Sequence, residues 1–106
     1  MHLKDDLFVV QMESGRYLLH KKQQVMAEQN KAVVLPDGLK SIAAHAFYNN
    51  TTMEEIYLPK SLEHVGGDAF LGCSSLKHVY VPYGEIKRFS KMLPKLKKII
   101  DNDLPF

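Results

Sequence analysis

The chain repeats itself at an offset of 23 residues, and this period constrains the fold more than any other property of the sequence. Leu35-Pro36, Leu58-Pro59 and Val81-Pro82 fall in step, as do Leu39 with Leu62, Ile42 with Val65, Ala46-Phe47 with Ala69-Phe70, Met53 with Leu76, and Ile56 with Val79. No insertion interrupts the register. A fixed period of roughly 20 to 50 residues is the signature of stacked-repeat architectures. One such unit cannot bury its own apolar edge, so its stability comes from packing on the next.

Each unit reads in the same order. Met53-x-x-Ile56-x-Leu58 and Leu76-x-x-Val79-x-Val81 alternate apolar and polar positions with β-branched and aromatic residues, the pattern of a short strand. The following proline has no N–H and a fixed φ, so it ends the strand and opens a turn. Leu39-x-x-Ile42 and Leu62-x-x-Val65 predict a second short extended or 3₁₀ segment. Then comes the Ala-Phe pair: Ala46 and Ala69 are small where the chain passes close to its neighbour, and Phe47 and Phe70 are expected to be interchangeable plugs between units.

The strings LPDGLKSIAAHAFYNNTTMEEIYLP and LPKSLEHVGGDAFLGCSSLKHVYVP resemble the BspA-like, or Treponema-type, leucine-rich repeat. The second unit matches the family pattern in Gly66, Ala69-Phe70 and the closing Cys73, whereas the first has Ala43 for the glycine and Asn50 for the cysteine. The resemblance implies a mainly β leucine-rich-repeat solenoid of 23-residue coils with short helical caps. It also implies a binding function, often at bacterial cell surfaces, with no catalytic residues to carry over and a buried small residue at Cys73.

The expected organisation is a cap or degenerate repeat over 1–31, repeats over 32–82, and a helical cap and tail over 83–106. In the first segment, LFVVQM and RYLLH flank Glu13-Ser14-Gly15 and read as a hairpin. Alternatively, a shift of 23 sets Val10, Met12 and Gly15 against Val33, Leu35 and Gly38, as in a decayed repeat. Residues 21–31 are too polar to assign. At the far end Ile86, Phe89, Met92 and Leu93 share one helical face, and Pro94 stops the helix.

Composition narrows the function. The chain has 106 residues, 45% apolar and 25% charged, an ordinary single globular domain able to bury a modest core. The single Cys73 cannot form an internal disulfide, and the acidic start MHLKDD lacks the basic flank of a signal peptide, so the chain as given reads as cytoplasmic. A native start further upstream would instead allow a surface or secreted location. No apolar run approaches the ~18 residues of a membrane helix. Net charge is +2; residues 1–84 hold 8 basic and 9 acidic side chains, and residues 85–106 hold 6 and 3.

If the apolar strand positions point inward, the intervening ones form the outer face of the sheet. Val34, Tyr57 and Tyr80 should then make one ladder beside Glu55 and His78, with Tyr83 just beyond. Tyrosine offers a rigid contact surface with a polar tip, which suits partner binding, although cross-strand aromatic pairs also serve the sheet itself. The five histidines show no paired ligand spacing, so no metal is expected. No nucleophile is set beside a base and no carboxylate pair shares a face, so no catalytic residue and no cofactor is assigned. Lys87, Arg88, Lys91, Lys95, Lys97 and Lys98 could meet phosphate or acidic lipid, yet a charge run is usually a solvated helix face. The leading expectation is a non-catalytic module that binds a protein, or a glycan, through the strand face. The alternatives are a structural repeat fragment or a small protein that self-associates, in that case through its N-terminal edge, and, behind these, a basic-tail binder of nucleic acid or of an acidic surface.

Overall fold

The structure, a computed structural model, describes residues 7–9, 17–19 and 30–102, the first two segments as backbone only. Two sheets are built entirely from parallel neighbours. The larger contains β1 (Leu7–Val9), β3 (Ala32–Val34), β5 (Glu55–Tyr57), β7 (His78–Tyr80) and β8 (Ile100–Asp101) in that order. The smaller contains β2 (Tyr17–Leu19), β4 (Leu39–Ile42) and β6 (His64–Val65). From β1 to β7 the chain contributes one strand to each sheet in turn, so successive units lie side by side; β8 then returns to the larger sheet.

The 23-residue period is visible as strand register. Ala32, Glu55 and His78 align across the larger sheet, as do Val33, Ile56 and Val79, and then Val34, Tyr57 and Tyr80. In the smaller sheet Ser41 faces His64 and Ile42 faces Val65. Val33, Ile56 and Val79 point inward and are fully buried, and they join Leu39, Ile42, Leu62 and the post-strand Leu35, Leu58 and Val81 in one apolar cluster. A parallel ladder needs this many burying residues because neither sheet is stable with its inner face in water.

Between β4 and β5 the chain runs through an arc of tight turns, and the same arc recurs after β6. His45 and Asp68 occupy equivalent places, both with left-handed backbone near φ 60° (61° and 55°); Asn49 (59°) and Gly72 (84°) form the next such pair. Phe47 is fully buried in the arc and stacks on Phe70 with ring centroids 5.3 Å apart and 10° between planes. Phe70 is only half-buried. The two rings are thus not interchangeable: Phe47 has a neighbour on its outer side, whereas Phe70 belongs to the last arc.

Gly66 shows why a small residue is required at one point of the repeat. A Cβ there would lie 2.2 Å from the Ala44 backbone nitrogen, while its own N–H donates to the Ile42 carbonyl at 2.7 Å. Gly67, by contrast, has open space around it. Asn50 stands where the second unit has Cys73, and it is buried because its Oδ1 accepts from the Thr52 and Met53 N–H groups at 3.0 and 2.9 Å, closing the turn into β5.

Two expectations about the ends change. β1 and β2 do not pair with each other; each extends a parallel ladder, against β3 and β4 respectively. The hairpin reading fails because the two apolar runs belong to different sheets. The register is also shifted, with Phe8 opposite Val33, so the alignment of Val10 with Val33 is not the one formed. At the other end α1 (Ile86–Met92) forms as expected, burying Phe89 with Leu93 behind it, but Ile86 is exposed. After Pro94 the chain continues as a 3₁₀ helix (Pro94–Ile99) and returns as β8, with Ile100 opposite Val79. The expected segment 21–31 lies largely outside the described residues.

Candidate functional site

The outer face of the larger sheet holds the residues singled out from the sequence, and their exposures differ. The ladder Val34, Tyr57, Tyr80 forms in register. Tyr57 and Tyr80 stack with centroids 4.8 Å apart and 18° between planes, and His78 lies against Tyr80 at 5.5 Å and 20°. Three rings therefore make one continuous aromatic stack. His78 is exposed, Tyr80, Val34 and Glu55 are half-buried, and Tyr83 is 89% exposed. Tyr57 departs from expectation: at 4% exposure it is buried, because the β-ladder sets residues on both flanks of its ring.

Tyr57 is anchored by its hydroxyl, which donates to Glu55 Oε1 at 3.2 Å. Burial first, and then the Glu55 carboxylate, push its phenol up to about 12, so the hydroxyl stays protonated and the hydrogen bond persists across the physiological range. This fixes Tyr57 as a platform on which the more open Tyr80 rests. Beside it lies a shallow hollow of about 270 Å³ formed by Val34, Asp37, Tyr57, Pro59, Lys60 and Pro82. The prolines read from sequence only as strand-ending residues; their second role, as walls of a hollow beside the rings, depends on neighbouring units lining up and has no signal within one unit.

The basic residues of the C-terminal region divide into two kinds. Arg88 donates to Glu85 Oε1 at 2.6 Å, to the Leu62 carbonyl at 2.6 Å and to the Lys60 carbonyl at 2.7 Å. Its guanidinium is spent on capping the turn after β5 and is not offered to a ligand. Lys87, Lys91, Lys95, Lys97 and Lys98 are exposed.

Cys73 is partly buried, and its thiol donates to the Phe47 carbonyl at 3.1 Å. Desolvation pushes the thiol up to about 11, which is opposite to the activation a nucleophilic cysteine needs. His45, His64 and His78 are all exposed and stand on separate units. Among the described residues no group of three or more His, Cys, Asp or Glu side chains is placed to hold a metal ion, and no helix is long and apolar enough to cross a membrane.

Parallel one-residue-per-unit ladders, a leucine-proline step after each strand of the larger sheet and an Ala-Phe arc define a leucine-rich-repeat protein. The family model described as the BspA type leucine rich repeat region (6 copies) matches residues 26–103, and the chain belongs to that family. Repeats of this family typically mediate protein interaction and are generally non-enzymatic. Neither the curated proteins nor the solved structures contain a match to this chain.

Proposed function

We propose that the chain is a short solenoid whose 23-residue coils present a protein-binding face, centred on Tyr80 and His78 and bordered by Val34, Glu55 and Tyr83. Tyr57 acts beneath them as a support. The observation that carries this reading is the three-ring stack beside an apolar hollow: aromatic rings already ordered against one another lose little side-chain entropy on binding. The face is small against the ~800 Å² per partner of a standard interface. Binding through it is accordingly weak, or is strengthened by presenting more than one copy.

The test is affinity capture from a lysate of the source cell with wild-type protein and two sets of variants. Tyr80→Ala with Tyr83→Ala removes exposed or half-exposed rings and leaves Tyr57 in place; about 2 kcal/mol or more is lost per hot-spot residue, and capture fails. Lys95→Ser with Lys98→Ser leaves capture intact. The reverse pattern, salt-sensitive capture that depends on the lysines, would replace the strand-face reading with an electrostatic one.

A further inference from the structure

The last arc of the chain carries a row of backbone donors with a distinctive asymmetry. In the first arc the N–H groups of His45, Phe47 and Asn49 donate across to the carbonyls of Gly67, Ala69 and Leu71 at 3.1, 2.8 and 2.8 Å. The alternate N–H groups, of Ala46, Tyr48 and Asn50, close turns onto Ala43, His45 and Phe47 within the arc. The second arc repeats the inner set, with Ala69, Leu71 and Cys73 donating to Gly66, Asp68 and Phe70. For its outer set, the N–H groups of Asp68, Phe70 and Gly72, no acceptor is found among the described residues. The carbonyls from Gly66 to Leu71 are all taken, from one side or the other.

Among the described residues this edge consequently offers main-chain donors on alternate residues and no free main-chain acceptor between them, while the exposed Asp68 carboxylate lies 3.8 Å from His45 Nε2. It borders a cleft of about 460 Å³ whose opposite wall comes from the end of α1 and the 3₁₀ helix, through Met92, Leu93 and Leu96. Arg88 caps the carbonyls of the neighbouring turn, and β8 covers β7, but neither reaches the arc donors. Phe70, half-buried, and Leu71, 46% exposed, line the same cleft.

We propose that this edge docks a turn-rich, uncharged segment of another polypeptide that supplies main-chain carbonyls at every second residue, as the second arc does for the first, and an aromatic side chain over Phe70. The fit is argued from the contact already present one unit earlier, where an arc bearing Ala-Phe meets the same donor row and stacks its ring on Phe47. Backbone pairing of this kind gives affinity from the main chain and selectivity from the side-chain pocket. The surface is separate from the tyrosine face and stands or falls without it.

The probe is a synthetic peptide reproducing residues 65–74 with Asp68→Asn and Cys73→Ser, titrated into the ¹⁵N-labelled full chain. Amide shifts should concentrate in residues 66–73 and 92–96, and exchange of the Asp68, Phe70 and Gly72 amides should slow by about tenfold at saturation. A peptide that also carries Phe70→Ser should lose these effects, as should the protein variant Gly67→Leu, whose side chain enters open space beside the cleft. Tyr80→Ala protein should bind the peptide like wild type. No shift at millimolar peptide, shifts centred on Tyr80, binding unchanged by Gly67→Leu, or a concentration-dependent oligomer that competes with the peptide would each overturn the proposal, the last in favour of a second copy as occupant.

Discussion

Phe47 and Phe70 stand at the same place in successive units, yet truncating them should have different costs. Phe47 is fully buried, so Phe47→Ala forfeits a complete ring and leaves a cavity, a loss of about 3–5 kcal/mol. Phe70 is partly exposed, so Phe70→Ala loses only part of the transfer contribution and little cavity energy, about 1–2.5 kcal/mol. The near-parallel stack of the two rings adds a shared contribution of about 0.5–1.5 kcal/mol that either truncation removes. The double variant should therefore cost less than the sum of the singles by about that amount. Urea unfolding followed by far-ultraviolet circular dichroism measures all four members of the cycle. A total stability of about 5–15 kcal/mol for a domain of this size leaves the single variants measurable. Equal losses for the two single variants, or strict additivity, would refute the assignment of Phe47 as interior and Phe70 as the terminal ring.

Three further outcomes are expected. Arg88→Ala should lower stability by about 2–3 kcal/mol, because two carbonyls and a carboxylate lose a charged donor, and Arg88→Lys should recover little since one ammonium cannot span the same three acceptors; a urea midpoint unchanged in either variant would count against the cap. Gly66→Ala should cost at least about 2 kcal/mol, or prevent folding, by forcing the Ala44 backbone away, while Gly67→Ala should stay within about 0.5 kcal/mol of wild type, as thermal melts of both will show. Alkylation of Cys73 at pH 8 should be about a hundredfold slower in the native chain than in urea, the thiol having moved from 9.0 to about 11. Because the folded state favours the neutral thiol, that contribution to stability is complete below about pH 9 and declines as pH rises towards 11; equal native and denatured alkylation rates would contradict the burial.

The repeat, the strand order within each unit and the inward apolar ladder were legible because each rests on residues recurring at one spacing. The tyrosine ladder followed from the same register, but the burial of Tyr57 did not: alternation says which side of a sheet a residue faces, not how far the two neighbouring units cover it. The ends were harder to read for a related reason. β8 pairs at a spacing of 21 residues, Val79 with Ile100, because α1 and the 3₁₀ helix replace the arc, and a search in steps of 23 passes over it. The apolar runs at β1 and β2 suggested partners for each other because only their proximity in sequence was visible. The role of Arg88 depends on carbonyls 26 and 28 residues away, and a charge run gives no sign that one member is occupied.

The alignment of Ala32, Glu55 and His78 at equal intervals has an implication for how such a chain can change length. Removing or duplicating one whole 23-residue block would bring equivalent residues back opposite one another in both sheets at once. Losing a single residue inside a block would invert the side chains of every strand position between the lesion and the next turn. A gain or loss of 69 nucleotides, on the order of one unit, therefore keeps both ladders in register, whereas loss of one codon within a strand breaks them, so between the two ends the hydrogen bonding of the sheets sets the step in which such an array can change length.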